Sequence, residues 1–194
     1  VIARNEEENC FVYDIETDCG YLNAGVGSMV VGNSERRGKN FVTQKICRNV
    51  ARIAKAKENN EGFTPLELGN VDSRRDWSHA EDFIDGVWRM LNQSKVKDYV
   101  LSSNETHSVR EFVELSFQFV GIQGKWSGTG VDEIFTDEST GETLMVVNPK
   151  FYRPAEVELL LGDSTKARQE LGWEPKVNFK ALVERMMRNQ THSR

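Results

Sequence analysis

Residues 66–77, Leu-Glu-Leu-Gly-Asn-Val-Asp-Ser-Arg-Arg-Asp-Trp, carry the chain from one structural period to another. Leu66 and Leu68 alternate with polar neighbours, as in a half-buried strand, and Gly69-Asn70 break the alternation. From His79 to Gln93 the apolar residues Ala80, Phe83, Ile84, Val87, Trp88 and Leu91 recur at the spacing of one helical face. A strand that ends in a loop and passes into a helix is a building unit of α/β folds. In open sheets of such folds, ligands bind beyond the carboxyl ends of the strands. Arg74 and Arg75 fall in the connection, where a planar guanidinium fork suits phosphate or carboxylate. A plainer alternative makes them solvated loop charges, with Asp76 pairing one of them.

The flanking sequence predicts more elements of both kinds. Phe41–Lys57 has the pattern of a helix with Phe41, Val42, Ile46 or Cys47, Val50, Ile53 and Ala54 inward. Arg36 and Arg37 precede it, where cations would bring anions to the helix amino terminus. Tyr99-Val100-Leu101 reads as a short buried strand. Ser108-Val-Arg-Glu111 has the capping-box pattern ahead of a helix ended by Gly121. Lys125-Trp126 and Thr143–Val147 read as strands, and the acidic stretch 128–141 between them as a loop or flexible hairpin. Pro154 makes the Phe151–Glu156 segment extended. Asp163 or Ser164 caps a helix through Leu171, and Asn178 caps a last one. Trp77, Trp88 and Trp173 read as core groups.

Bulk properties exclude several classes. A formal charge of -5 over 194 residues, without a basic stripe, argues against nucleic acid as a partner. No apolar run approaches the roughly 18 residues of a membrane span, and no secretory signal is visible. Cys10, Cys19 and Cys47 make an odd set without a Cys-x-x-Cys pair, so the expected compartment is a reducing cytoplasm, with no structural zinc. The three histidines lack metal-ligand spacing. Val1 rather than Met opens the chain, which reads as a fragment or a trimmed product.

Residues 1–33 have a different character. Phe11–Thr17 alternates as a strand, and Gly20, Gly25 and Gly27 punctuate the residues after it. Val12-Tyr-Asp-Ile-Glu16, Tyr21-Leu-Asn-Ala-Gly25 and Met29-Val-Val-Gly-Asn33 ahead of Ser34 resemble the carboxyl-terminal segment of an intein. The resemblance makes Asn33 and Ser34 a splice junction. The Ser34 hydroxyl would accept the upstream chain as an ester. The Asn33 side-chain amide would then attack its own carbonyl and cut the peptide bond. Gly32 stands where most inteins have His. Without an amino-terminal splicing half, the segment resembles the smaller part of a split intein.

Residues 34–190, about four-fifths of the chain, resemble the carboxyl-terminal half of GDP-mannose 4,6-dehydratases, which are extended short-chain dehydrogenases/reductases. The motifs are Ser34-Glu-Arg-Arg-Gly-Lys-Asn-Phe-Val-Thr-Gln-Lys-Ile46, Leu68–Trp77, Glu105–Phe112, Phe151-Tyr-Arg-Pro-Ala-Glu156, Leu161–Ala167 and Leu171-Gly-Trp-Glu-Pro175. The implied organisation is an α/β, Rossmann-type fold with a short β-rich segment at 1–33 and a sugar-nucleotide-binding half at 34–194.

The implied reaction removes water from GDP-mannose. NADP takes a hydride from C4, water leaves from C6, and the hydride returns to C6. The family's Tyr-x-x-x-Lys pair and Gly-rich cofactor loop do not occur in these residues, so this chain alone should not catalyse the dehydration. By resemblance, Val42, Lys45, Leu68, Gly69, Asn70, Arg75, Arg153 and Glu156 line the substrate site, and Arg37 contacts the cofactor. The expected partners are GDP-mannose, an amino-terminal dehydratase half carrying the matching intein fragment, and further copies in a homo-oligomer. Two other readings stay open: a fragment of another nucleotide-sugar dehydratase or epimerase, and a non-catalytic nucleotide-sugar-binding module.

Overall fold

Three helices form the larger apolar core because each repeats its apolar residues at helical spacing. Helix α1 (Val42–Glu58) buries Ile46, Cys47, Val50 and Ile53. The other two, α3 (Val109–Phe119) and α5 (Phe179–His192), contribute Phe112, Val113 and Phe117, and Leu182, Val183, Met186 and Met187. Each of the three packs against the other two. Burial pushes the Cys47 thiol up to about 12, so it is a protonated packing group. These residues come from a computed structural model that describes residues 33–95, 97–152 and 159–192.

The described chain gathers into two compact units. One comprises Ser34–Arg75, Thr106–Leu160 and Phe179–Arg194, and the other comprises Asn33, Asp76–Glu105 and Leu161–Asn178. The first unit adds two sheets to the three helices. Strands β1 (Leu66–Leu68), β4 (Gly124–Ser127), β5 (Ile134–Asp137) and β6 (Thr143–Val147) form a sheet in the order β1-β6-β5-β4. Its β1–β6 pair is parallel, with Leu68 opposite Val147, and the other pairs are antiparallel. Phe117 of α3 meets Phe135 of β5 at 5.6 Å between ring centroids, which joins helix layer to sheet. Three two-residue strands, β2 (Arg74–Arg75), β3 (His107–Ser108) and β7 (Leu159–Leu160), make a second sheet in the order β3-β2-β7.

The second unit packs α2 (Ala80–Leu91) and α4 (Thr165–Leu171) around Phe83, Tyr99, Leu101, Ala167, Leu171 and Trp173. Trp173 is fully buried, and its indole N–H donates to the Asp82 carbonyl at 2.7 Å. The Asp82 carboxylate accepts the Val177 N–H at 3.0 Å. Gly86 lets α2 approach this cluster, since a Cβ there would lie 2.5 Å from the Leu101 side chain.

Several sequence expectations hold. The Ser108–Glu111 capping box is formed, and Gly121 follows α3 in the left-handed region at φ 77. Asp163 rather than Ser164 receives the Thr165 N–H at the start of α4.

Others are corrected. The acidic stretch 128–141, expected as a loop or flexible hairpin, holds a regular strand, β5, paired antiparallel with both β4 and β6. Tyr99–Ser102 joins no ladder among the described residues. Trp88 is not a core group: it is 67% exposed, with Ile84 at 61% and Leu91 at 76% beside it on α2. Val42 is likewise exposed, not inward. Asp76 fastens the chain at Ser103 and Asn104. Its carboxylate accepts the Ser103 hydroxyl at 2.6 Å and the backbone N–H groups of Ser103 and Asn104.

Strand β5 escapes a hydropathy reading because its second inward residue is a carboxylate. Asp137 is buried beside Phe135 and accepts the Ser139 N–H and hydroxyl at 2.8 and 2.6 Å. Lys57, at the end of α1, pairs with it at 3.0 Å and also with Glu142. Burial alone would raise the Asp137 carboxyl; the bonds from Ser139 and Lys57 outweigh this and bring it to about 2. A carboxyl held below its ordinary 3.8 stabilises the fold above that value, and the gain fades as pH falls towards 2. Urea unfolding should therefore show Asp137→Asn weaker than the parent by on the order of 2 kcal/mol at pH 7. The difference should shrink steadily below about pH 4.

Candidate functional site

The parallel pairing of β1 with β6 sets two chain segments side by side at the carboxyl end of β1. The Asn148 N–H donates to the Leu68 carbonyl at 2.7 Å, one residue beyond the β6 ladder. Asn148 then turns the chain through Pro149–Phe151, its side chain accepting the Lys150 N–H at 2.9 Å. This turn brings the Phe151 carbonyl against Gly69. A Cβ at residue 69 would stand 2.2 Å from that oxygen, so only glycine allows the approach. Leu68 is buried and Gly69 and Asn70 are half-buried, so the chain emerges from the core at this point.

The first turn of α1 meets the same turn. Lys45 is half-buried, with its ammonium 3.7 Å from the centre of the Phe151 ring. Burial lowers its pKa from the ordinary lysine value, against an opposing pull from Glu67. Val42, one turn earlier, exposes its side chain. Thus Val42 and Lys45 stand on one helical face, and Lys45, Leu68 and Gly69 are tied through Asn148 and Phe151. The arrangement offers an exposed apolar contact, a partly desolvated cation and a strand end with backbone polar groups.

The loop from Gly69 to Ser73 is fixed from several sides. The Asn70 side-chain carbonyl accepts the Asp72 N–H at 2.9 Å. The Val71 and Ser73 carbonyls accept the N–H groups of Arg110 and Val109 at 2.8 and 3.2 Å, which locks the loop to the start of α3. Beyond it, Arg74 reaches Thr106 and, at 3.4 Å, Glu111. The Arg75 guanidinium is half-buried and donates to the Arg74 carbonyl at 2.8 Å. Among the described residues no group of His, Cys, Asp or Glu side chains could hold a metal, and no helix is long and apolar enough to cross a membrane.

A family model described as GDP-mannose 4,6 dehydratase matches residues 20–186. The chain belongs to the GDP-mannose 4,6-dehydratase family. A GDP-mannose 4,6 dehydratase of Drosophila melanogaster is 48% identical over 155 residues, covering 80% of this chain and 38% of the relative. The human GDP-mannose 4,6 dehydratase is 44% identical, covering 79% and 40%. The chain thus spans about two fifths of the length of these relatives. Among solved structures, RMD from Pseudomonas aeruginosa complexed with NADPH superposes with a TM-score of 0.66 at 18% identity, covering 85% of this chain and 47% of that one. UDP-glucose 4-epimerase from Thermus thermophilus complexed with NAD gives 0.61 at 17% identity, covering 86% and 47%. The fold is therefore the α/β, Rossmann-like fold of extended short-chain dehydrogenases/reductases, with a mixed sheet.

Of the residues expected at the family's sugar-nucleotide site, Lys45, Leu68 and Gly69 meet around Asn148–Phe151, with Val42 on the same face of α1 as Lys45. Asn70 heads the loop after β1. Arg75 lies farther along the chain, in β2. Arg153 and Glu156 fall outside the described residues. Arg37 stacks its guanidinium 4.0 Å over Phe41, a placement that orients its planar fork. Asn33 joins His79 in a bridge: its N–H donates to the Ser78 carbonyl and its carbonyl accepts the Ala80 N–H, both at 2.9 Å. Apart from Asn33, the segment read as an intein tail lies outside the described residues, and the family match already begins at residue 20.

Sequence reasoning missed the parts played by Asn148 and by the Phe151 ring and carbonyl. The only local sign was Asn148-Pro149, a turn-initiating pair. Replacing Gly69 with Ala should displace the Asn148–Phe151 turn. The expected outcome is a loss of stability of about 1–3 kcal/mol, read by thermal unfolding, together with an altered near-ultraviolet signal from Phe151 and Tyr152.

Proposed function

We propose that this chain supplies the nucleotide-sugar-binding part of an NADP-dependent GDP-mannose 4,6-dehydratase, a lyase. Family membership supports the substrate class. The observation that carries the reading is the meeting of Lys45, the Leu68–Gly69 strand end and the Phe151 turn. In this reading the Lys45 ammonium, already partly stripped of water, pairs with the diphosphate as a point charge. Leu68, Gly69 and Asn70 flank the nucleotide, Val42 provides apolar contact, and Arg75 grips the diphosphate. Arg153 and Glu156 hold the ribose and base end. Arg37 fits a cofactor phosphate, and NADP when bound supplies the hydride acceptor and donor.

The 194 residues hold no Tyr-x-x-x-Lys pair, so in this reading those groups and the Gly-rich cofactor loop come from the amino-terminal half of the dehydratase. The complete enzyme is proposed to be a cytoplasmic homo-oligomer.

Calorimetric titration of the chain with GDP-mannose, UDP-glucose and dTDP-glucose tests the reading. Binding should favour GDP-mannose, and Lys45→Ala should weaken it about tenfold, the worth of one charge-assisted contact of about 1.4 kcal/mol. Preference for a UDP- or dTDP-sugar would assign the chain to another nucleotide-sugar enzyme. No binding of any of the three would remove the reading.

The splice-junction role of Asn33 and Ser34 is a separate proposal. What supports it, beyond the motifs, is the Ala80 N–H on the Asn33 carbonyl, a donor that would polarise the bond under attack. The family match across residues 20–33 weighs against it. Mixing the chain with an amino-terminal partner and finding no ligated product starting at Ser34 by mass spectrometry would end it.

A further inference from the structure

The loop that leaves β1 at Gly69 ends in an ionic junction whose members lie far apart in sequence. The Arg110 guanidinium, in the first turn of α3, donates to both Glu133 carboxylate oxygens, at 2.6 and 3.0 Å. Its other edge holds Asp72 Oδ1 through Nε and Nη2, at 3.2 and 2.7 Å. The face of the fork lies 4.3 Å over the Trp126 ring. Trp126 is fixed in turn by Glu114, which accepts its indole N–H at 2.6 Å. Glu133 is buried, and its carbonyl accepts the Val147 N–H at 3.1 Å, so the junction is anchored in the sheet.

Arg110 also acts on the loop through its backbone, whose N–H donates to the Val71 carbonyl at 2.8 Å. One residue therefore holds Val71 by main chain and Asp72 by side chain. Asp72 in its turn holds Asn70, by its own N–H to the amide carbonyl. Holding three consecutive residues restricts the loop to one conformation before any ligand arrives. A loop ordered in advance does not lose that entropy on binding.

We propose that Arg110, set by Glu133 and Trp126, is a positioning residue that uses Asp72 to hold Asn70 and the Gly69–Val71 backbone ready for the nucleotide sugar. This rests on the reading of Leu68–Asn70 as a nucleotide-lining segment. Arg110 and Asp72 need not touch the ligand.

Asp72 offers the clean test, because its side chain is 71% exposed while Arg110 keeps its buried partner Glu133 when Asp72 is changed. The two physical effects of Asp72→Ala also have opposite signs. Removing a carboxylate near a diphosphate site would tighten an anionic ligand by electrostatics alone. Releasing the loop would weaken it. Calorimetry with GDP-mannose on the whole chain should show Asp72→Ala binding about fivefold to tenfold more weakly, with its melting temperature within about 2 °C of the parent. Hydrogen exchange of the amides of residues 70–73 should quicken at the same time. Arg110→Lys, which keeps a cation on Glu133 but loses the fork, should weaken binding to a similar degree.

Unchanged or tighter binding by Asp72→Ala would overturn the proposal, as would unaltered exchange in 70–73. If Lys45→Ala and Asn70→Ala weaken binding while Asp72→Ala does not, the substrate reading stands and this inference alone falls. If the parent chain binds no GDP-mannose, both fall.

Discussion

The parallel ladder between β1 and β6 is the constraint on which the candidate site depends. The antiparallel β6–β5 and β5–β4 pairs extend the sheet, but only the parallel pair carries the end of β1 to where β6 also ends. Parallel strands deliver both carboxyl ends to the same edge, and there the chain turns outward twice, at Gly69 and at Asn148. The bond from the Asn148 N–H to the Leu68 carbonyl continues the pairing just past the strand. The contact of Gly69 with Phe151 and the seat of Lys45 over the Phe151 ring both depend on it.

The helices serve this edge in different ways. Helix α1 uses its apolar side to anchor in the core and its first turn to present Val42 and Lys45. Helix α3 anchors through Phe112, Val113 and Phe117, and its capped start receives the loop that leaves β1. Both use ends of helices rather than their middles, where backbone donors are still available. Packing in the core therefore controls the placement of polar groups outside it. The candidate site is held in place by core residues that lie away from it.

How much of this was legible in the sequence depended on the range of the interaction. Helices α1 and α3 could be read because their spacing, the capping box and Gly121 are local signals. The resemblance to a known family located Lys45 and the Leu68–Asn70 segment. Strand β5 could not be read, because an inward Asp137 looks like a loop residue until Lys57, distant in sequence, appears beside it. Trp88 and its neighbours on α2 followed a helical period, yet they lie exposed among the described residues. Periodicity marks an apolar stripe without saying which partner covers it. The tie between Gly69 and Phe151 left no trace in composition, since a close backbone approach is a property of two distant segments together.

That tie limits how such a site can diverge. No side chain can be inserted at position 69, so natural variation cannot tune recognition there by size or charge. Variation at this edge must be written instead in the flanking positions, on the exposed face of α1 and around the Asn148 turn. A chain of this family that has lost glycine at this point would have had to re-route its Asn148–Phe151 connection first.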